Sequence, residues 1–302
     1  MASRRCEEVD VLRGAALLGI CVVNIPVMAG IDPVTPPGAG MDRWVAALVA
    51  LLFQGKFFVL FSFLFGWGFG VQRDSARRSG RRFGAAYARR LSCLLVFGAA
   101  HALLVFTGDI LVLYAVLGLP LWWLRDVGPR RLTGIALALA AHRGRFFSAG
   151  AAAYDSLKKR WAWLLAAGVS LNGLYTVGML GSLGDGAFAL MAFSGLALGG
   201  PCLAGVYLIA IVELTRRRPA PRWLAVIGRM SLSAYVAEGV LAGWVFNGYG
   251  LGLYGSVGDT ACLFIALTLF AIVSVACRAW SQVSTTGPLE WPLRAATRGR
   301  LT

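Results

Sequence analysis

The apolar run FGAAHALLVFTGDILVLYAVLG, residues 97–118, contains a histidine and an aspartate, which are residue types that can move protons. Burying either side chain in hydrocarbon costs several kcal/mol unless it is paired, hydrated or functional. A neutral imidazole accepts a proton near pH 7, and a neighbouring carboxylate or phenol can fix its tautomer. The run therefore predicts His101 as a general base, oriented by Asp109 or Tyr114.

Three more polar residues interrupt apolar runs elsewhere in the chain. Glu238 in SLSAYVAEGVLAGW lacks the reach to snorkel out of a membrane, so we expect it to be catalytic, neutral or paired with Lys56. Asn24 and Lys56 are predicted to bind substrate. Each has a structural alternative: an interhelical hydrogen bond for Asn24 and snorkelling for Lys56. Likewise, Asp109 can be a helix N-cap and His101 a hydrogen-bonded core residue.

Arginines form a second group of candidates, because a guanidinium grips phosphate oxygens bidentately. They lie at or just inside the ends of apolar runs that we place at the cytoplasmic surface, where they would bind phosphate groups. The residues are Arg13, Arg89, Arg90 and Arg229. Topogenic charge explains Arg89 and Arg90 equally simply, and snorkelling explains Arg13 and Arg229.

The composition indicates the solvent around these residues. Hydrophobic residues make up 58% of the 302 residues, charged residues 14%, and the mean hydropathy is +0.70. The hydrophobic fraction and the mean hydropathy exceed those of a soluble domain, and the charged fraction is lower, which together indicate a polytopic membrane protein. The net charge of +15 lies in short clusters between apolar runs, which favours membrane orientation over nucleic-acid binding. The six cysteines are dispersed without metal-ligand spacing, so no metal site is predicted.

Apolar runs long enough to cross a bilayer predict an all-α transmembrane bundle of about eight spans within a single domain, residues 1–302. They cover roughly 11–30, 44–72, 87–107, 109–124, 161–181, 188–214, 223–246 and 260–280. The short apolar stretch 131–142 is predicted not to cross and to lie in a basic cytoplasmic connection, residues 125–160. Both termini are then cytoplasmic, and the basic clusters fall inside.

This topology predicts one outer layer for the polar residues of five different spans. Its members are Asn24, Lys56, His101, Asp109, Tyr114 and Glu238. A polar pocket open to the outside would hydrate them.

Ordered blocks along most of the chain resemble the YeiB family of bacterial membrane proteins. They are EEVDVLRGAALLGICVVNIPVMAG, GKFFVLFSFLFGWG, RRLSCLLVFGAAHALLVFTGDILVLYAVLG, IGRMSLSAYVAEGVLAGWVFNGYGLGLYG and GPLEWPLR. That family is similar to heparan-alpha-glucosaminide N-acetyltransferase and to bacterial acyltransferases that O-acetylate surface sugars. The resemblance implies transfer of an acyl group from cytoplasmic acyl-CoA to a hydroxyl or amine of a small-molecule or glycan acceptor at the outer face of the cell membrane, with no tightly bound cofactor.

Two features depart from those acyltransferases. The sugar-acetylating branch has a basic residue followed eleven positions later by a histidine, whereas Arg13 is followed at that spacing by Asn24, so we predict that His101 takes the histidine's place. The middle of the chain is also short for the family. A transporter or export factor that uses the same polar layer, with Glu238 and His101 as a proton relay, is the alternative function. A structural or sensor protein without chemistry is a third.

Overall fold

The structure is a computed structural model that describes residues 2–32, 37–78, 80, 83–123, 158–180, 186–218 and 221–298. These residues form eleven helices and no strand, which confirms the predicted all-α class. The helices are α1 (Ala2–Met28), α2 (Met41–Leu52), α3 (Lys56–Arg78), α4 (Phe83–Leu104), α5 (Ile110–Trp123), α6 (Trp161–Leu180), α7 (Gly186–Arg217), α8 (Arg222–Arg229), α9 (Ser231–Phe246), α10 (Asp259–Val283) and α11 (Glu290–Arg298). The predicted non-spanning stretch 131–142 lies outside the described residues.

Among the described residues, five segments are long and apolar enough to cross a membrane. They are Glu7–Met28, Met41–Arg78, Trp161–Leu180, Ala189–Arg217 and Asp259–Val283. The bent pair α8 and α9 makes a sixth if both helices belong to one span. The predicted spans 87–107 and 109–124 correspond to α4, with 22 residues, and to α5, with 14. The total of eight spans and the cytoplasmic termini stay predictions.

Two predicted spans are broken helices rather than continuous ones. The run 44–72 divides into α2 and α3 at residues 53–55, where Gly55 adopts a left-handed φ of 81° that side chains disfavour. The run 223–246 divides into α8 and α9, whose axes differ by 88° across Met230. Hydropathy averaged over a whole span does not report either break, although polar residues lie at both: Gln54 and Lys56 flank Gly55, and Arg229 and Ser231 flank Met230.

The chain forms two compact units. The first comprises Met1–Leu60 and Leu157–Gly287, and the second comprises Phe61–Ser156 and Pro288–Thr302. The candidate catalytic residues are therefore divided. His101, Asp109 and Tyr114 belong to the second unit, and Glu238 belongs to the first.

In the first unit, α1 lies at the centre and packs against α7, α8, α9 and α10, while α6 packs along α7 and against α2. Its side chains Leu12, Leu17 and Ile20 are fully buried. Helix ends are joined by polar contacts: the Asp42 carboxylate of α2 accepts a 2.8 Å hydrogen bond from the Thr260 backbone N–H in the first turn of α10. Asp42 thus caps a helix other than its own.

An ion-pair network connects charged residues near the ends of α1 and α7. Glu213 contacts Lys158 at 3.0 Å and Arg216 at 3.6 Å, and Arg216 also lies 3.8 Å from Glu8. These side chains sit in or beside the basic clusters that we place at the cytoplasmic surface. Some of the predicted topogenic charge therefore has a structural partner.

The second unit is built on the hairpin of α4 and α5, with α11 packed on α4. Aromatic side chains fill it: Phe69 lies edge-on to Tyr87 at 4.8 Å, and Phe83 stacks on Tyr87 and Trp122. The Tyr87 hydroxyl donates to the Gly118 carbonyl at 3.0 Å, which joins α4 to α5. These contacts fix the two helices that carry His101 and Asp109.

Helices α1 and α8 of the first unit cross closely at two glycines. A Cβ atom added at Gly228 would collide with the Asp10 carbonyl oxygen, and one added at Gly14 would collide with the Leu224 carbonyl. Only glycine permits the two backbones to approach this closely, as at small-residue crossings in other membrane helices.

Gly228→Ala should therefore lower stability by about 1–3 kcal/mol, because the added methyl forces α8 away from α1. The measurement is the thermal unfolding temperature of the purified protein in detergent. Gly173→Ala on α6 is the control, since a Cβ there meets nothing within 4 Å. Equal unfolding temperatures for the two variants would contradict the close crossing.

Candidate active site

His101 lies in the last turn of α4, where the chain leaves the helix. Its backbone carbonyl accepts hydrogen bonds from the N–H groups of Val105 and Phe106, which ends the helix. The residue is buried, with 4% of its surface exposed. The turn that follows returns the chain to α5, so the imidazole faces the first residues of that helix.

The Asp109 carboxylate holds this imidazole. The distance from His101 Nδ1 to Asp109 Oδ1 is 2.9 Å, and the two side chains are only 2% and 1% exposed. A short, buried contact between an imidazole and a carboxylate is the arrangement that orients a catalytic histidine. The sequence analysis left Asp109 and Tyr114 open as partners of His101, and the contact is with Asp109, eight positions along the chain.

Asp109 also caps the helix that follows it. Its second oxygen, Oδ2, accepts a 3.0 Å hydrogen bond from the Val112 backbone N–H, three residues along the chain. This is the N-cap contact, and the positive end of the α5 dipole stabilises the negative carboxylate there. One carboxylate therefore makes both the N-cap contact and the contact with His101.

Gly98, one turn before His101, makes room for this carboxylate. A Cβ atom at Gly98 would lie 2.6 Å from the Val112 nitrogen and 2.8 Å from Asp109 Oδ2. The start of α5 can approach α4 only because residue 98 has no side chain. Gly98 was not among the predicted site residues. A glycine one turn before His101 on the same helical face was nevertheless a signal of close helix packing.

The contact with Asp109 determines which imidazole nitrogen acts as a base. When Nδ1 carries the proton and donates it to the carboxylate, the lone pair lies on Nε2. That nitrogen can take a proton from a hydroxyl or an amine, and the carboxylate then stabilises the imidazolium. Among the described residues, no three His, Cys, Asp or Glu side chains are grouped to hold a metal ion.

Tyr114 lies one turn further into α5, between two aromatic rings of α3. It stacks on Phe61 and Phe65 at centroid distances of 5.6 and 5.3 Å, and the Ser62 hydroxyl donates to its oxygen at 3.2 Å. These partners belong to the segment KFFVLFSFLF, in which Phe57, Phe61 and Phe65 recur every four residues. This is a helical spacing. The orienting contact observed for His101 comes from Asp109.

The other predicted site residues of the outer layer belong to the first unit. Lys56 is 0% exposed, and its Nζ donates a 2.7 Å hydrogen bond to the Ala50 carbonyl at the end of α2. There it satisfies an unpaired carbonyl and the negative helix end. Glu238 is 4% exposed and forms no ion pair within the described part of the chain, so the expected pair with Lys56 is not present. Asn24 is half-buried on α1.

A cavity of about 80 Å³ lies in the first unit, between α1, α2 and α6. Its polar lining residues are Asp32, Gln54 and Asp259. Asn24, Lys56 and Glu238 do not line it, so this cavity is not the shared polar pocket that the sequence analysis predicted for them.

The four predicted phosphate-binding arginines have different environments. Arg13 and Arg229 flank the α1–α8 crossing, because Gly14 and Gly228 are in contact there. Arg13 lies 3.5 Å from Asp10, and Arg229 is exposed. Arg89 donates to the carbonyls of Ala296 at 2.7 Å and Thr297 at 3.3 Å, so it caps the end of α11. Arg90 is half-buried on α4.

Comparison with known proteins identifies the family. Residues 141–300, more than half of the chain, match the family described as "Protein of unknown function (DUF418)". The chain belongs to this family. The match agrees with the resemblance to YeiB, and the protein is a YeiB-family membrane protein.

Three curated relatives are bacterial. The chain is 29% identical to "Uncharacterized protein YxaH" of Bacillus subtilis, over 98% of this chain and 95% of the relative. It is 26% identical to "Uncharacterized 39.9 kDa protein in amylase 3'region" of Bacillus acidopullulyticus, over 98% and 94%. It is 35% identical to "Uncharacterized protein YeiB" of Escherichia coli, over 39% and 30%. No solved structure matches the chain.

The two contacts of Asp109 can be separated by substitution. Asp109→Ala removes both and should lower stability by about 1 kcal/mol or more, the usual effect of a lost N-cap. Asp109→Asn retains a cap oxygen and an imidazole contact, so its stability should stay within a few tenths of a kcal/mol of the original. Thermal unfolding in detergent measures both. An asparagine variant as unstable as the alanine variant would show that α5 does not depend on the cap.

Proposed function

We propose that the protein is a membrane-embedded acyltransferase that moves an acyl group from cytoplasmic acyl-CoA to an acceptor hydroxyl or amine at the outer face. The buried contact between His101 Nδ1 and Asp109 Oδ1 is the observation that supports this proposal. It supplies an oriented general base in a site from which most water is excluded.

In the proposed reaction, His101 Nε2 takes the proton of the acceptor O–H or N–H. The acceptor oxygen or nitrogen bonds to the thioester carbonyl carbon, the C–S bond breaks, and CoA leaves as a thiolate. The imidazolium returns its proton to that thiolate, so the histidine ends in its starting form. Asp109 stabilises the imidazolium between the two steps.

An acceptor must reach a side chain that is 2% exposed. The connection from α4 to α5 offers the shortest approach, because Thr107 and Gly108 are exposed and directly precede Asp109. Transfer therefore requires displacement of side chains in this connection. A substrate that fills the opened space would exclude water and strengthen the electrostatic contact of the imidazolium with Asp109.

Arg13 and Arg229 are the proposed binding residues for the acyl-CoA phosphates. They lie on either side of one helix crossing, and two guanidinium groups so placed can hold a diphosphate. Arg89 is less suited to this role, because its donors are engaged by the carbonyls of α11.

The alternative is a transporter or export factor. The broken helix α8–α9 favours it, because discontinuous helices form the substrate sites of many secondary transporters. A transporter would leave acyl-CoA intact, so acyl-CoA turnover distinguishes the two functions.

The decisive variant is His101→Gln, because glutamine retains hydrogen bonding but cannot take a proton at neutral pH. With radiolabelled acetyl-CoA and membranes from a producing bacterium as the acceptor source, we expect transfer to fall about a hundredfold or more. Binding of acetyl-CoA to the purified protein should be unchanged in this variant and weakened in Arg13→Gln.

Normal transfer by the glutamine variant would assign His101 a structural role. No transfer by the original protein to any membrane acceptor, with no acetyl-CoA binding, would overturn the acyltransferase proposal. The unfolding temperature of each variant serves as the folding control, because loss of transfer is informative only in a folded protein.

A further inference from the structure

Glu238 is a carboxylic side chain in the interior of the first unit, and the proposed acyl transfer does not use it. It lies in the middle of α9 with 4% of its surface exposed. Its Oε1 has no hydrogen-bond partner among the described residues. The neighbours one turn away on either side, Ala234 and Ala242, are fully buried and apolar. Tyr235, three residues before Glu238, is also buried, and α9 contains no cationic residue.

The helices packed on α9 bring no opposite charge close to this carboxyl. These helices are α1, α8 and α10. On α1, the thiol of Cys21 interacts electrostatically with the Glu238 carboxyl. The same thiol donates a hydrogen bond to the Ala266 carbonyl of α10 at 3.6 Å. The buried thiols of α10 are Cys262 and Cys277. From residue 7 of α1 onward, the charged residues of the three helices are Glu7, Glu8, Asp10, Arg13, Arg222, Arg229, Asp259 and Arg278.

The charges of α1 and α10 are separated from Cys21 and Ala266 along the two helices. Arg13 precedes Cys21 by about 12 Å along α1, and Asp259 precedes Ala266 by about 10 Å along α10, at the helical rise of about 1.5 Å per residue. The buried amine of this unit, Lys56, donates to a backbone carbonyl and forms no ion pair with Glu238. An ionised Glu238 would be a charge in the membrane interior without a counter-ion, which costs several kcal/mol or more.

We propose that Glu238 is a proton-binding site inside the membrane that holds a proton in the resting protein and is open to modification by a hydrophobic carbodiimide. The proton removes the charge that the surroundings cannot stabilise. This site is independent of the proposed acyl transfer, because it needs neither acyl-CoA nor His101.

The modification uses the bound proton directly. The carboxyl O–H proton moves to a carbodiimide nitrogen, and a carboxyl oxygen bonds to the central carbon to give an O-acylisourea. The acyl group then migrates from oxygen to nitrogen and leaves a stable N-acylurea. All atoms of both reactants stay in the adduct, and neither an oxidant nor a reductant takes part.

The experiment treats the full-length protein, reconstituted in phosphatidylcholine vesicles without acyl-CoA, with dicyclohexylcarbodiimide. Intact mass spectrometry counts the adducts, and peptide mapping locates them. We expect one main adduct, located at Glu238 in the original protein and lost in Glu238→Gln. Glu213→Gln is the matched control that keeps the adduct, because Glu213 is paired with Lys158. A water-soluble carbodiimide should leave Glu238 unmodified.

Mapping in the original protein keeps the test valid if the glutamine variant does not fold. An unmodified Glu238 in the original protein would overturn the proposal. Equal reaction of Glu238 with the water-soluble reagent would also overturn it, because the carboxyl would then lie in water. Neither result depends on acyl transfer, so the two proposals fail separately.

Discussion

The contact between His101 and Asp109 depends on a single constraint: an ionisable side chain inside a membrane needs a partner that is held in place. The carboxylate meets this constraint twice, with one oxygen on the imidazole and the other on the first turn of α5. Because the cap fixes the carboxylate, the position of the imidazole follows from the helix start. Gly98 then sets the distance between the two helices. The geometry of the site thus results from how one helix ends and the next begins.

The first unit handles its polar groups in a different way. Lys56 and Asp42 are satisfied by backbone groups at the ends of α2 and α10, where helices leave carbonyl and N–H groups unpaired. These contacts stabilise the break between α2 and α3 and the start of α10. Glu238 has no such helix end beside it. Lys56, which the sequence predicted to bind substrate, therefore has a structural hydrogen bond. Glu238 has no backbone group of this kind as a partner, and we propose that it binds a proton instead.

The sequence predicted much of the fold and part of the site, for identifiable reasons. Apolar runs reveal where helices lie, and the all-α class is confirmed. They do not reveal the break at Gly55 or the bend at Met230, because a few polar residues inside an apolar run do not determine the backbone geometry. Asp109 was predicted as one of two partners for His101, since a residue in a short turn between two helices must lie near the end of the first. The Ser62 partner of Tyr114 was not, because it lies on α3, which is distant in sequence.

The central claim is that Asp109 holds the imidazole in the tautomer that leaves Nε2 as the base. Nitrogen-15 NMR of histidine-labelled protein measures this directly, and a His142→Gln background leaves His101 as the single signal, because the chain has two histidines. The account predicts a protonated Nδ1 and an unprotonated Nε2 at neutral pH, with the pattern reversed in Asp109→Asn, where the amide donates to Nδ1. A proton on Nε2 and none on Nδ1 in the original protein would contradict it.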